Sequence, residues 1–394
     1  MSRPTKLWNA RYLTFIALQT LNFALLYFTF PVIPKYSVSL GYDLSQAGVL
    51  AGGFAIASLI ARPITGFSID NFDRKKVLIV AITICGLSTA ALSLTSNIWV
   101  LLVFRLIYGA AFAFSSTTLF SCGTDCIPEN KTAEGVGYFG LGIAVSAAIG
   151  PPVGLWLNNL VGARILFYIM AGLSILTVVI IIFVPIDKLE GVTATKKPKL
   201  GISSFIEKKS VIFAVLVIPF AFSNGFINSF ITMTAEERNI SGISVFFTVF
   251  AIAMMALKPL SGKVQDKFGL SSVLIPAFIC TGIASGIISV ATSLTLMIIS
   301  ALLLAFGQGA GQPSLQSATI SSVDKARQGV AIGTYYLGLD IGNGIGNIAG
   351  GTVAEALGFR GAYQLCAATL TTGLIIYIIY AIIKRRRSHI EQEV

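Results

Sequence analysis

Hydrophobic positions along this chain form long stretches that are separated by short polar segments. Each stretch runs for about 18 to 24 residues, the length that an α-helix needs to cross about 30 Å of hydrocarbon. Twelve stretches meet this criterion, near residues 12–34, 44–67, 77–94, 98–120, 135–157, 164–185, 211–233, 244–265, 271–291, 294–317, 328–352 and 360–383. The pattern predicts an all-α membrane protein with twelve transmembrane helices.

Composition and charge placement agree with a membrane protein. Hydrophobic residues make up 55% of the chain and charged residues only 11%, against about 25% charged residues in an average soluble domain. Most of the 28 Lys and Arg residues fall in alternate loops and at both ends of the chain. By the positive-inside rule, both termini are expected in the cytoplasm, with the protein in the plasma (inner) membrane. The net charge of +11 therefore does not indicate a nucleic-acid partner.

An internal repeat organises the chain. A shift of 196 positions, the difference between Arg62 and Lys258, also aligns Pro63 with Pro259, Gly66 with Gly262, Asp70 with Asp266 and Gly162 with Gly358. We therefore expect two six-helix bundles, at residues 1–185 and 211–394, joined by a cytoplasmic linker at 186–210. Parallel repeats of this kind are a known transporter architecture, in which substrate binds near the midplane and the halves rock around it.

Three short segments carry motifs. The segment from Gly66 to Lys76 has the form G-x-x-x-D followed by basic residues, and it resembles the cytoplasmic signature G-x-x-x-D-(R/K)-x-G-(R/K)-(R/K) of the major facilitator superfamily, with Asn71 and Asp73 as departures. The pair Arg105 and Gly109 resembles a second motif, a buried Arg followed by Gly. A third segment is similar to the motif of the antiporter branch, with Leu155 where a second Gly often follows; its residues are Gly142, Gly150, Pro151, Pro152 and Gly154.

The resemblance implies roles for these residues, each with a simpler alternative. Asp70 and Arg74 would pair and lock a cytoplasmic gate, or belong to an ordinary basic loop. Arg105 would take part in proton transfer, or would bond backbone carbonyls of a neighbouring helix. The glycine–proline run is associated with export in the family, or is a kink without directional meaning.

Four ionisable residues fall within predicted spans: Arg62, Arg105, Lys258 and Asp340. Each costs about 2.5 to 3.5 kcal/mol on insertion scales and needs a partner or a water-filled cavity. In the family fold spans two and eleven meet, which would place Arg62 across from Asp340. Such a pair could be a gate, a proton-coupling site or a static salt bridge. Ala144 occupies the repeat position of Asp340, so the pair would be asymmetric.

Neutral polar residues dominate the spans that line the cavity in the family fold: Gln19, Asn22, Ser115, Ser116, Asn224, Asn228, Gln308, Gln312 and Gln316. Amides at helical spacing can bind a polar ligand or tie helices together. Because span one carries no acid, a neutral, zwitterionic or anionic substrate is favoured over a multivalent cation.

The predicted function is proton-coupled export of a small molecule by a monomeric secondary transporter, with protons, substrate and the lipid bilayer as partners. Uptake of a sugar or organic anion by a symporter or facilitator is the main alternative, and a lipid flippase is another. An enzyme is not expected, since the single histidine, His389, lies in the C-terminal tail. No cofactor or metal is expected either: Cys122 and Cys126 are closely spaced but have no His or third Cys nearby.

Overall fold

The computed structural model describes residues 7–128, 132–184, 186, 206–323 and 328–393, and every regular element in these ranges is helical. The side chains of several residues within the helices, among them Pro63, Gly66, Asp70, Asn71 and Lys258, lie outside the description. The predicted all-α fold is therefore confirmed for the described residues.

Ten α-helices follow one another in the residues that the structure describes. They are α1 (Ala10–Ser39), α2 (Leu44–Asn71), α3 (Arg74–Ala91), α4 (Ile98–Thr124), α5 (Thr132–Phe183), α6 (Val211–Glu237), α7 (Ser244–Phe268), α8 (Ser271–Val290), α9 (Leu294–Ser321) and α10 (Gln328–Glu393), with a 3-10 turn at Lys208–Ser210 before α6.

Two of these helices are broken at a glycine. Gly162 in α5 has φ 80° and ψ 162°, and Gly358 in α10 has φ 71° and ψ 172°. Glycine adopts this region readily because it has no Cβ. The two breaks occupy the positions that the internal repeat aligns, so the duplication seen in the sequence recurs in the backbone geometry.

Eight helices in the described residues are long and apolar enough to cross a membrane. Two of the eight are the stretches Tyr138–Phe183 and Val330–Lys384, with 46 and 55 residues, and each contains one glycine break. A bilayer-spanning helix needs about 20 residues, so each stretch is long enough for two crossings. The chain is a multi-pass membrane protein, and the count of twelve spans stays a prediction.

Short polar side chains start several helices. Asn9, Asp43, Asp73 and Asn97 each accept backbone N–H groups at the first turn of α1, α2, α3 and α4, which satisfies donors that have no partner inside the helix. Asp73 accepts from the N–H groups of both Lys75 and Lys76. This departure from the family signature therefore has a local reason, because it caps α3.

The chain divides into two compact units. Unit 1 comprises Met1–Lys199 with Asn228–Thr232, and unit 2 comprises Leu200–Ile227 with Met233–Val394. In unit 1, α1 packs against α2, α4 and α5, α2 packs against α4, and α3 packs against α4 and α5. In unit 2, α9 packs against α7 and α8, and α10 packs against α8.

Close backbone contacts through glycine join the first helix and the fifth helical segment of each unit. A Cβ at Gly154 of α5 would lie 2.6 Å from the carbonyl oxygen of Phe28 in α1. At Gly346 of α10, a Cβ would meet the backbone of Phe222 in α6. Both helix pairs depend on the absence of a side chain, as small-residue contacts between membrane helices commonly do.

Candidate functional site in unit 1

Arg105 is a buried cation held between two aromatic rings. Its side chain is 1% exposed, and its guanidinium carbon Cζ lies 5.3 Å from the ring centroids of both Phe54 and Tyr108. Gly109, one turn further along α4, brings that helix against the backbone of Phe54 in α2. The Arg-x-x-x-Gly spacing thus places the guanidinium and the close helix contact on the same face of α4.

The rings offset only part of the charge. A cation–π contact contributes about 0.5 to 2 kcal/mol, while an Arg at the centre of a membrane helix costs about 2.5 to 3.5 kcal/mol on insertion scales. Nε of Arg105 has no hydrogen-bond partner among the described residues, and no described carboxylate pairs with the guanidinium. No described backbone carbonyl accepts a hydrogen bond from Arg105, and both roles considered for it from the sequence stay predictions.

The two rings against Arg105 belong to a group of six aromatic residues in mutual contact, which we call the aromatic cluster: Phe23, Tyr27 and Phe30 of α1, Phe54 of α2, and Tyr108 and Phe112 of α4. Neighbouring rings lie between 5.2 and 6.5 Å apart, most of them edge to face. We did not single these residues out from the sequence. Their spacing, with aromatics at i, i+4 and i+7 on α1 and at i and i+4 on α4, was the available signal.

The predicted polar residues of spans one and four lie along the seam between α1 and α4. Nε2 of Gln19 donates to the carbonyl oxygen of Ser116 at 3.4 Å, and the Ser115 hydroxyl donates to Oδ1 of Asn22 at 3.3 Å. These bonds tie the two helices together. They leave Oε1 of Gln19 and Nδ2 of Asn22 without described partners, although both side chains are more than nine-tenths buried.

The other predicted amides are distributed along α6 and α9. Gln308 and Asn228 are buried, whereas Asn224 and Gln312 are half-buried. Nε2 of Gln312 has no hydrogen-bond partner among the described residues. α6 and α9 therefore carry neutral amides, whereas α4 carries aromatic rings and the cation Arg105.

The loop between α2 and α3 is held by a network that links helix ends within unit 1. Nη1 of Arg74 forms a 2.6 Å ion pair with Asp125 at the end of α4, and its Nε donates to the carbonyl oxygen of Ile69. Nζ of Lys75 donates to the carbonyl oxygens of Ile182 and Val184, at the end of α5, at 2.7 and 3.0 Å. Asp125 was not predicted as the partner of Arg74, and the Asp70 side chain lies outside the described residues.

The antiporter-like glycines all face α1. A Cβ at Gly142 would meet Thr20, and one at Gly150 would meet Tyr27. The backbone of α5 keeps helical dihedral angles through Pro151 and Pro152, because the non-helical residue in this helix is Gly162. The structure thus assigns a packing role to these glycines, and an association with export stays a prediction.

Of the other predicted charges, Arg62 on α2 and Asp340 on α10 are half-buried. Their pairing stays a prediction, and Lys258 lies outside the described side chains. Among the described residues no group of three or more His, Cys, Asp or Glu side chains could hold a metal ion.

Equivalent positions at the ends of α1 and α6 make equivalent contacts with different residues. In unit 2, the Arg238 guanidinium donates to the carbonyl oxygens of Ile288, Ser289 and Ala291 at 2.6 to 3.0 Å. In unit 1, the hydroxyl of Tyr42, at the repeat position of Arg238, donates to the carbonyl oxygen of Ser96 at 2.7 Å. Each unit therefore fixes the segment that leads into its fourth helix.

Comparison with known proteins identifies the family. The model of the Major Facilitator Superfamily matches residues 15–242 and 211–393. The chain is 27% identical to Multidrug resistance protein MdtG of Escherichia coli, over 92% of this chain and 91% of that protein. It is 26% identical to an uncharacterized MFS-type transporter of Methanocaldococcus jannaschii, over 89% of this chain and 93% of that protein.

Solved structures share the fold at low identity. A mutant of the nucleoside transporter NupG is similar with a TM-score of 0.78 and 15% identity, covering 94% of this chain and 99% of that one. PepTSo, a transporter of the POT family, gives a TM-score of 0.77 at 12% identity, covering 96% and 99%. The chain therefore belongs to the major facilitator superfamily and is a multi-pass membrane transporter.

Proposed function

We propose that this transporter exports small organic molecules across the plasma membrane in exchange for protons, by alternating access. The observation that carries the proposal is the likeness to MdtG, a protein named for multidrug resistance, along 92% of the chain. In this proposal the chain crosses the membrane twelve times, as bundles at residues 1–185 and 211–394 joined by a cytoplasmic linker, with both termini in the cytoplasm.

The charges in the spans give the exchange a physical basis. A carboxyl group that is ionised beside an arginine in one conformation and protonated in the other carries one proton per cycle, since a nearby cation favours the charged form and separation disfavours it. Asp340, with Arg62 as its partner, is the proposed site of this exchange. The ion pair between Arg74 and Asp125 would link the start of α3 to the end of α4 within unit 1 while the halves move.

The test is transport by the purified protein in proteoliposomes with an imposed pH gradient. Aromatic organic anions, neutral compounds and organic cations would be loaded separately, and efflux would be followed with and without a protonophore. We expect gradient-dependent transport of at least one class, and its loss in Asp340→Asn. The control is Asp43→Asn, which removes the same charge at an exposed helix cap where asparagine also caps well.

Each result points to one mechanism. Transport that runs down the substrate gradient whatever the pH would identify a facilitator. Substrate moving in the same direction as protons would identify an uptake symporter. Either result would overturn the proposed antiport.

A further inference from the structure

We propose that the aromatic cluster of unit 1 binds the acidic end of a ring-bearing organic anion, with the guanidinium of Arg105 as its counter-ion. The inference rests on the proposed function and narrows its substrate class, from small organic molecules to aromatic carboxylates and similar acids.

The described residues leave the charge of Arg105 without a counter-ion. Arg105 is 1% exposed, its Nε has no described hydrogen-bond partner, and no described carboxylate pairs with it. The rings of Phe54 and Tyr108 lie against the guanidinium carbon and satisfy none of its N–H groups. A carboxylate is the ligand group that matches these N–H donors, because it accepts two parallel hydrogen bonds from a guanidinium.

Aromatic rings form the surroundings of this charge. Phe30 lies 6.5 Å from Phe54, and Phe23 lies 5.2 Å from Phe112, measured between ring centroids. Phe23 and Phe30 are only half-buried, so they form the accessible side of the cluster. A ligand reaches Arg105 when Phe30 rotates aside, and its own ring then takes the place of Phe30 in edge-to-face contact, the arrangement that aromatic groups prefer.

A second polar position lies on the seam between α1 and α4. Oε1 of Gln19 and Nδ2 of Asn22 are a buried acceptor and a buried donor without described partners. Ser115, which bonds Asn22, lies ten residues along α4 from Arg105, a rise of about 15 Å. A ligand of that length with an acid at one end and a neutral polar group at the other would satisfy both positions.

Binding can be measured directly on the full-length protein in detergent. The probes are 1-naphthoate, an aromatic anion, and 1-naphthylmethylammonium, a cation of nearly the same size and shape. Equilibrium dialysis gives the affinity, and the shift in thermal unfolding temperature gives an independent readout. We expect saturable binding of 1-naphthoate, with the cation bound at least tenfold more weakly.

Two variants of Arg105 test the counter-ion. Arg105→Gln should weaken 1-naphthoate binding at least tenfold, and Arg105→Lys should fall between Gln and the native protein, because a lysine keeps the charge without the bidentate geometry. Arg360→Gln, the loss of an exposed arginine in unit 2, should bind as the native protein does. Should Arg105→Gln fail to fold, Arg105→Lys and Phe54→Leu carry the test, each with an expected loss of severalfold or more.

Equal affinity for the anion and the cation, or undiminished 1-naphthoate binding in the Arg105 variants, would overturn the inference. Its failure is distinguishable from that of the proposed function. Export of neutral or cationic compounds without 1-naphthoate binding contradicts this inference alone, whereas 1-naphthoate binding without proton-dependent export contradicts the proposed antiport alone.

Discussion

Replacing Gly154 with alanine tests whether α1 and α5 are held together by direct backbone contact. The added Cβ would lie 2.6 Å from the carbonyl oxygen of Phe28 and 2.8 Å from its Cα. An ordinary contact is about 3.4 to 4 Å, so the helices would have to separate by roughly 1 Å along this seam. Because the atoms in the way are backbone, no side-chain rotation relieves the clash.

Two opposing effects determine how much Gly154→Ala changes the free energy of unfolding. Overpacking of a close contact costs about 1 to 3 kcal/mol, while Gly→Ala inside a helix contributes about 0.5 to 1 kcal/mol of stabilisation. The net expectation for Gly154→Ala is a loss of up to about 2.5 kcal/mol. Gly172→Ala is the control in the segment of α5 beyond the break at Gly162. Its Cβ would meet nothing within 4 Å, so it should be neutral or slightly stabilising.

Thermal unfolding of the purified variants in one detergent, followed by tryptophan fluorescence, measures this difference. The expected order of unfolding temperature is Gly154→Ala lowest, then the native protein, then Gly172→Ala level with it or above. Equal unfolding temperatures for the two variants would refute the packing role assigned to the antiporter-like glycines.

Three further predictions concern charged residues. Asp340→Asn should abolish transport driven by a pH gradient while leaving the amount of folded protein in the membrane unchanged, and unaltered coupling would remove Asp340 from the proton pathway. A double-mutant cycle of Arg74→Ala and Asp125→Ala should give a coupling energy below about 1 kcal/mol in thermal unfolding, because the pair is partly exposed. A larger value would contradict the treatment of this ion pair as a solvent-screened surface contact. Arg238→Met should lower the free energy of unfolding by about 1 to 3 kcal/mol, because three charged hydrogen bonds are lost. It should also speed amide hydrogen exchange around Ala291. Unchanged exchange there would show that Arg238 does not hold the end of α8.

Much of the architecture follows from the sequence because it depends on local or repeated signals. Hydrophobic stretches of spanning length predict the helices, and the all-α fold is confirmed for the described residues. The shift of 196 positions aligns Gly162 with Gly358, and both have the positive φ that breaks a helix. Membership of the major facilitator superfamily, inferred from three motifs, is confirmed by the match of the family model along the chain.

The partners of individual side chains were not predictable in the same way. Arg74 pairs with Asp125, 51 residues away along the chain, and which helix ends meet depends on packing that periodicity does not report. Lys75 binds carbonyl oxygens near Ile182 for the same reason: unpaired carbonyls at a helix end attract a cation. Neither contact leaves a spacing signal in the sequence.

The aromatic cluster was missed for a different reason. Phe and Tyr at helical spacing are typical of ordinary membrane-helix packing, and the sequence does not distinguish rings around a cation from rings around lipid. The buried Arg105 was recognised, but the rings against it come from α2 and α4, and rings of α1 complete the cluster. Nε of Arg105 has no hydrogen-bond partner among the described residues. This property, which suggests a ligand site, can be seen only once the helices are packed together.

Accumulation of substrate in inside-out membrane vesicles is the most direct test of proton-driven export. Vesicles energised to make the lumen acidic would be supplied with the compound that the purified protein transports fastest. We expect accumulation against the concentration gradient, its collapse on addition of a protonophore, and its absence with Asp340→Asn. Accumulation that survives the protonophore, or that occurs instead in right-side-out vesicles with an acidic exterior, would contradict proton-driven export.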